Sequence, residues 1–243
     1  IGADIACPTG WMASRLQGLG YLQTFNNDNM PNKVANLAPS YLGSADDPDR
    51  IYSIPWQAGF AGIGYNKAVY KEITGKDAPG SVADLWAAEL KGRVGLLSEM
   101  RDSVGIVLMS QGIDITSSSS LTEDAFMVAI EEIKAQIDSG QIFNVRGNSY
   151  LDDLATGNIV ASTAWSGDIT VLNYEAGTDD EPEPFGFVFP DSGATLWADV
   201  FITPMGATHK RNAEELINYY YDPVNAAELA LWVNYITPVV GAQ

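Results

Sequence analysis

The chain has 243 residues, enough to bury one large core or two ordinary ones, and its 46% hydrophobic and 18% charged residues describe a folding polymer and not a disordered one. Thirteen Lys and Arg against 31 Asp and Glu give a formal charge of −18, a field that repels nucleic acid and anionic lipid and favours cationic partners. No run approaches the roughly 18 apolar residues of a membrane-spanning helix, and no charged segment followed by an apolar one precedes Ile1-Gly2-Ala3-Asp4, so any export signal or lipid anchor is expected upstream.

Strand-like runs alternate with amphipathic helical ones in chain order, which predicts an α/β architecture. Ala3–Ala6 is expected as a strand, Trp11–Leu19 as a helix, Ile51–Trp56 and Gly62–Tyr65 as strands, Val82–Leu90 as a helix and Val94–Leu97 as a strand. A helix follows with Val104, Val107, Leu108 and Gln111 on one face, and Thr122 then caps a long helix. In that helix Phe126, Ile130, Ile133 and Ile137 recur as a core-facing stripe. Next come a short helix over Tyr150–Ala155, a strand Ile159–Thr163, a helix over 168–176, and strands Phe185–Phe189 and Trp197–Ile202. Two helices close the chain, the first with Ala213, Leu216, Ile217 and Tyr220 facing the core, the second starting near Val224 after the Asp222-Pro223 break.

Two extended segments with Gly or Pro interruptions, Ser53–Gly59 and Phe189–Gly193, have the character of crossings between lobes. Division there places residues 1–58 and 192–243 in lobe one and residues 59–191 in lobe two. The sequence shows no internal repeat.

Four strand-end turns carry the chemistry. In Trp197-Ala198-Asp199 the strand period of two sets an indole and a carboxylate on one face. Trp165-Ser166-Gly167-Asp168 repeats the pairing at a strand-to-helix junction, where Asp168 serves equally as a helix N-cap. Glu99-Met100-Arg101-Asp102-Ser103 follows a strand, at the sheet edge where open α/β folds bind ligands. The competing reading there is a capped helix start at Asp102 or Ser103. Cys7-Pro8-Thr9-Gly10-Trp11 adds a hydroxyl and an indole at the corresponding turn of lobe one. An aliphatic polyamine needs carboxylates for its ammonium groups and flat apolar walls for its methylenes, and Trp with Asp or Glu supplies both.

Other features carry less. Cys7, the single cysteine, can form no internal disulfide and is expected to be a small buried hydrophobe. His209 lies in a polar turn before a helix, which leaves no Cys–His pair. Tyr219-Tyr220-Tyr221 has the residue type of a ferric-iron site, but its helical spacing makes it core and surface. Asp46-Asp47-Pro48-Asp49 lacks the ligand spacing of a calcium loop and is expected as a solvated turn. Gly59-x-x-Gly62-x-Gly64 matches no nucleotide fingerprint. Nothing calls for a cofactor or a metal.

The series Ile54-Pro55-Trp56-Gln57-Ala58-Gly59, Gly64-Tyr65-Asn66, Asp84-Leu85-Trp86, Glu99-Met100-Arg101-Asp102, Trp165-Ser166-Gly167-Asp168, Trp197-Ala198-Asp199 and Tyr235-Ile236-Thr237-Pro238 resembles spermidine/putrescine-binding proteins nearly end to end. The resemblance implies two α/β lobes joined by crossing strands, the type II periplasmic-binding-protein fold, in a monomer that closes on a polyamine and delivers it to the membrane permease of an ABC importer. It implies no catalysis and a periplasmic or extracellular location, free or lipid-anchored. Carried over by position, Thr9 and Trp11 line the ligand site from lobe one and Glu99 and Asp102 from lobe two. Trp165 and Asp168 add a wall and a carboxylate, and Trp197, Asp199 and Tyr235 complete the box. Thr9 and Trp11 stand where the family has Ser and Tyr, and Glu99 and Asp102 exchange the usual Asp and Glu, changes that keep charge but alter reach. The family also has an opening strand–helix unit and further helices after the Tyr235 motif, so the fold is expected to be incomplete at both ends. Two other readings stay open on the residues alone: a binding protein for another solute such as ferric iron, and a hydrolase using a carboxylate pair such as Glu99 and Asp102.

Overall fold

The computed structural model describes residues 2–242. In chain order its elements are α1 (Gly10–Gly18), β1 (Leu22–Gln23), α2 (Pro31–Asn36), β2 (Ile54–Asn66), α3 (Lys67–Thr74), α4 (Val82–Leu85), β3 (Val94–Leu97), α5 (Met100–Ser110) and α6 (Glu123–Asp138). They continue with β4 (Ile142–Arg146), α7 (Tyr150–Ala155), β5 (Ala161–Trp165), α8 (Ser166–Ala176), β6 (Phe185–Val188), β7 (Thr195–Phe201), β8 (Thr203–Pro204), α9 (Lys210–Tyr220) and α10 (Pro223–Val233). The chain divides into two compact units, one of Ile1–Gly59 with Trp197–Gln243 and one of Phe60–Leu196, with β2 and β7 each passing from one to the other.

The Phe60–Leu196 unit is built on a sheet in the order β4-β3-β5-β2-β6. β3 runs parallel to β4 and β5, whereas β2 runs antiparallel to β5 and β6. A parallel sheet must be covered on both faces, and β3 is accordingly apolar and buried throughout. Leu97, Val104, Val107, Ala129, Tyr150 and Leu154 form part of the core on which α5, α6 and α7 pack. Thr122 caps α6 by accepting from the Ala125 amide, as its position predicts. Phe126, Ile130 and Ile133 pack on this core, but Ile137, expected to share their stripe, is exposed because it lies in the last turn of the helix.

In the other unit, β1 and β8 form a two-stranded antiparallel sheet, and isolated bridges join Ala6 to Ile202, Thr9 to Asp199, Leu37 to Val239 and Ala58 to Ile236. The expected strand Ala3–Ala6 is reduced to the single bridge at Ala6. Phe25, Met30, Ile54, Phe201, Ile217 and Tyr221 form its principal core, with Leu216 turned to the surface at 52% exposure.

Three further expectations are corrected. Gly62–Tyr65 and only Ile54–Trp56 of the expected strand Ile51–Trp56 belong to one 13-residue strand, β2, whose glycines are close-approach positions and not breaks. A Cβ at Gly64 would lie 2.6 Å from Ile169 Cδ1 and 2.7 Å from Ala164 Cβ. Val82–Leu90 divides into α4, which carries a capping box from Ser81 and Asp84, and a 3-10 turn over Ala88–Leu90. The acidic turn at 46–49 is not wholly solvated: Asp47 is buried and accepts from the amides of Ile51 (3.0 Å), Tyr52 (2.9 Å) and Ser53 (2.8 Å) and from Ser53 Oγ (3.0 Å). That carboxylate sets the chain's approach to β2 by satisfying three consecutive donors.

Candidate functional site: aromatic rings and carboxylates at strand ends

The unit holding the chain ends gathers Thr9, Trp197, Asp199 and Tyr235. Thr9 bridges Asp199 across an antiparallel pair, and the Val200 amide donates to Pro8 O at 2.9 Å, which fixes β7 beside the turn leading into α1. Trp11, the second residue of that helix, is half-buried. Asn234 ends α10 in the left-handed conformation (φ 58°), a shape Asn tolerates because its short side chain can bond locally. The Ala58–Ile236 bridge then places Tyr235 beside Gly59. Trp197 and Tyr235 meet edge to face, 5.0 Å between centroids at 66°. Gly59 is the floor beneath both rings, since a Cβ there would stand 2.6 Å from Trp197 Cζ2 and 2.9 Å from Tyr235 Cδ1.

On the same face of β7, the Trp197 indole nitrogen and Asp199 Oδ1 are both shut off from solvent and have no hydrogen-bond partner among the described residues. Desolvation raises the Asp199 carboxyl to about 6. A buried polar atom without a partner costs on the order of 1–3 kcal/mol, and this strand face carries two. Cys7, expected to be buried, is exposed. Its thiol is nevertheless raised to about 11, first by the protein packed along one side and then by the Asp199 charge.

The Phe60–Leu196 unit gathers Asp102, Trp165 and Asp168 from two neighbouring strand–helix turns. β3 leads through Ser98 and Glu99 into α5, and β5 leads directly into α8, so Asp102 and Asp168 occupy the same position in the first turn of their helices. Negative charge there complements the helix dipole. The cap of α5 is Glu99, accepting from the Arg101 amide at 3.3 Å, and not Asp102 or Ser103. Asp102, 5% exposed, accepts from Trp165 Nε1 at 2.8 Å and from Thr195 Oγ1 at 2.5 Å. Tyr150 OH donates to Asp168 Oδ2 at 3.1 Å and accepts from the Trp165 amide at 3.2 Å, with its ring edge-on to the indole at 6.1 Å.

Tyr150, Thr195 and Gly59 were not foreseen as site residues. The first two come from tertiary packing that no local pattern announces, while Gly59 carried a visible signal, a glycine inside a strand-forming run. Among the described residues no three His, Cys, Asp or Glu side chains lie together in a group able to hold a metal ion, and no helix is long and apolar enough to cross a membrane.

The chain belongs to the bacterial extracellular solute-binding protein family, whose model it matches over residues 2–243. It is 28% identical over 246 residues to the spermidine/putrescine-binding periplasmic protein 1 of Haemophilus influenzae, covering 100% of this chain and 63% of that one. It is 26% identical over 259 residues to the putrescine-binding periplasmic protein PotF of Escherichia coli, covering 100% and 68%. Its fold is that of PotD from Streptococcus pneumoniae, with a TM-score of 0.78 at 24% identity over 100% of this chain and 70% of that one. The TpPotD lipoprotein of Treponema pallidum superposes with a TM-score of 0.84 at 21% identity over 99% and 72%. The resemblance noted in the sequence is thus matched by the relatives' own names, and the chain spans slightly less than two thirds of the first curated relative.

Proposed function

We propose that the protein binds an aliphatic polyamine of the putrescine or spermidine class and delivers it to the permease of an ABC importer, catalysing no reaction. The observation that carries this reading is the partnerless Asp199 oxygen beside the Trp197–Tyr235 pair. A desolvated carboxylate is costly unless something cationic pairs with it, and an ammonium placed there also meets aromatic faces. The Trp197 indole N–H needs an acceptor that an ammonium does not offer, a part a water molecule fills.

In the same proposal Thr9 and Trp11 border the Asp199 end within its own unit, and the Phe60–Leu196 unit carries its own ligand residues, with Asp168 and Glu99 supplying negative charge and Trp165 an apolar wall. Names of relatives that bind spermidine and putrescine support the ligand class. Calorimetric titration with putrescine, spermidine, a neutral sugar and an amino acid tests it. The amines should bind more tightly than the others, with affinity falling as salt rises. Tight sugar binding with no response to amines would sink the reading.

A further inference from the structure

We infer that Asp102 is a positioning residue for the Trp165 indole and not a carboxylate that meets the ligand, an inference that rests on the polyamine reading of this site. By sequence Asp102 is one of the acidic pair at the α5 turn, and a ligand cation would seem its natural partner. The geometry assigns its oxygens elsewhere. Oδ2 accepts from Trp165 Nε1 at 2.8 Å and Oδ1 from Thr195 Oγ1 at 2.5 Å, while only 5% of the residue is exposed. Each oxygen therefore has a neutral side-chain donor within a charge-assisted distance, and an ammonium has little surface by which to approach.

What this arrangement does is hold a ring. A tryptophan at the end of a strand has two free side-chain torsions and swings unless its rim is tied. Trp165 is tied at its rim by Asp102 and at its backbone amide by Tyr150 OH, 3.2 Å away, with the Tyr150 ring edge-on to the indole. Thr195 stops the carboxylate itself from turning. The indole plane is thus fixed before any ligand arrives, so a ligand need not supply the ordering cost. Among the acids of this unit, Asp168 shares its Oδ2 with Tyr150 and is only partly buried, and Glu99, capping α5, is also partly exposed. Asp102 is the most deeply buried of the three, and it acts through Trp165.

Charge and hydrogen bonding separate in the Asp102→Asn variant. Its carbonyl oxygen still accepts from the indole, and its amide donates to Thr195 Oγ1, a hydroxyl that accepts as well as donates. Asp102→Ala removes both links. Putrescine and spermidine affinities are measured for both variants across a salt series, alongside melting temperature and the indole N–H resonance of Trp165, assigned with Trp165→Phe. The expected result is a loss of about tenfold or more for Asp102→Ala with a displaced Trp165 resonance, and recovery to within about fivefold for Asp102→Asn with the wild-type salt dependence. If Asp102→Asn is as weak as Asp102→Ala and its salt dependence is shallower, the carboxylate meets the ligand directly and the inference is overturned. Should Asp102→Ala fail to fold, the salt dependence of Asp102→Asn decides alone. If the wild-type protein binds neither amine, the polyamine reading fails, and an unmoved Trp165 resonance in Asp102→Ala would still overturn the positioning role.

Discussion

Asp199→Asn preserves the shape of the side chain and removes its charge, and it should move affinity and stability in opposite directions. The loss in affinity is that of one charge-assisted hydrogen bond, on the order of 1.5–3 kcal/mol. At about 1.4 kcal/mol per factor of ten, that is roughly a tenfold to hundredfold weaker dissociation constant. The gain in stability comes from the free protein, where desolvation lifts the carboxyl from 3.8 to about 6. The full shift corresponds to about 3 kcal/mol at 1.36 kcal/mol per pH unit, and since the side chain keeps part of its surface in water, about half of that should reach the stability. The sign follows from the raised value: the neutral carboxyl is favoured in the folded state, so its stabilising contribution is complete below pH 3.8 and is lost as pH rises through about 6. Asp199→Asn should therefore melt higher than wild type at pH 7.5 and no higher at pH 4. Calorimetric titration and thermal melting on one preparation give both quantities. Unchanged affinity, or a loss of stability at pH 7.5, would refute the reasoning and remove Asp199 from the site.

Three further outcomes are expected. Polyamine affinity of the wild type should be flat above about pH 7 and fall by up to tenfold per unit below about pH 6, because a proton then competes with the ammonium for Asp199; calorimetry from pH 5 to 8 checks this, and a flat profile contradicts it. Gly59→Val should displace Trp197 or Tyr235, seen as a change in near-ultraviolet circular dichroism, cost about 1–3 kcal/mol as overpacking does, and weaken amine binding by about tenfold. Asp47→Ala strips three consecutive amides of their acceptor and should cost about 3–5 kcal/mol in chemical denaturation.

Legibility in the sequence followed the range of the forces involved. Trp197 and Asp199 were placed on one face by the strand period alone, and β7 bears that out. The turns at Glu99–Asp102 and Trp165–Asp168 were found because a strand running into a helix is a local pattern. Which atom each acid touches is not local: the partners of Asp102 lie 63 and 93 residues away, and nothing near Asp102 distinguishes an acid that faces a ligand from one that braces an indole. The same limit explains β2. Its glycines resemble interruptions until Ile169, Trp197 and Tyr235, all distant in sequence, are packed against them. Ile137 and Leu216 lie on apolar faces by spacing, yet periodicity gives a direction and not the presence of a neighbour.

Cys7 is the only thiol in the chain, it is exposed, and its acidity is set in part by Asp199. With the thiol near 11, about one molecule in ten thousand carries a thiolate at pH 7, so maleimide or iodoacetamide labelling should be slow and steeply dependent on pH. The attachment rate then becomes a reporter in its own right. A cation held at Asp199 cancels part of the field that keeps the proton on sulfur, and alkylation should quicken in proportion to occupancy. A colorimetric thiol reagent could thus count filled sites without a labelled ligand, and an environment-sensitive dye fixed at this one position would turn the protein into an optical sensor for whatever it carries.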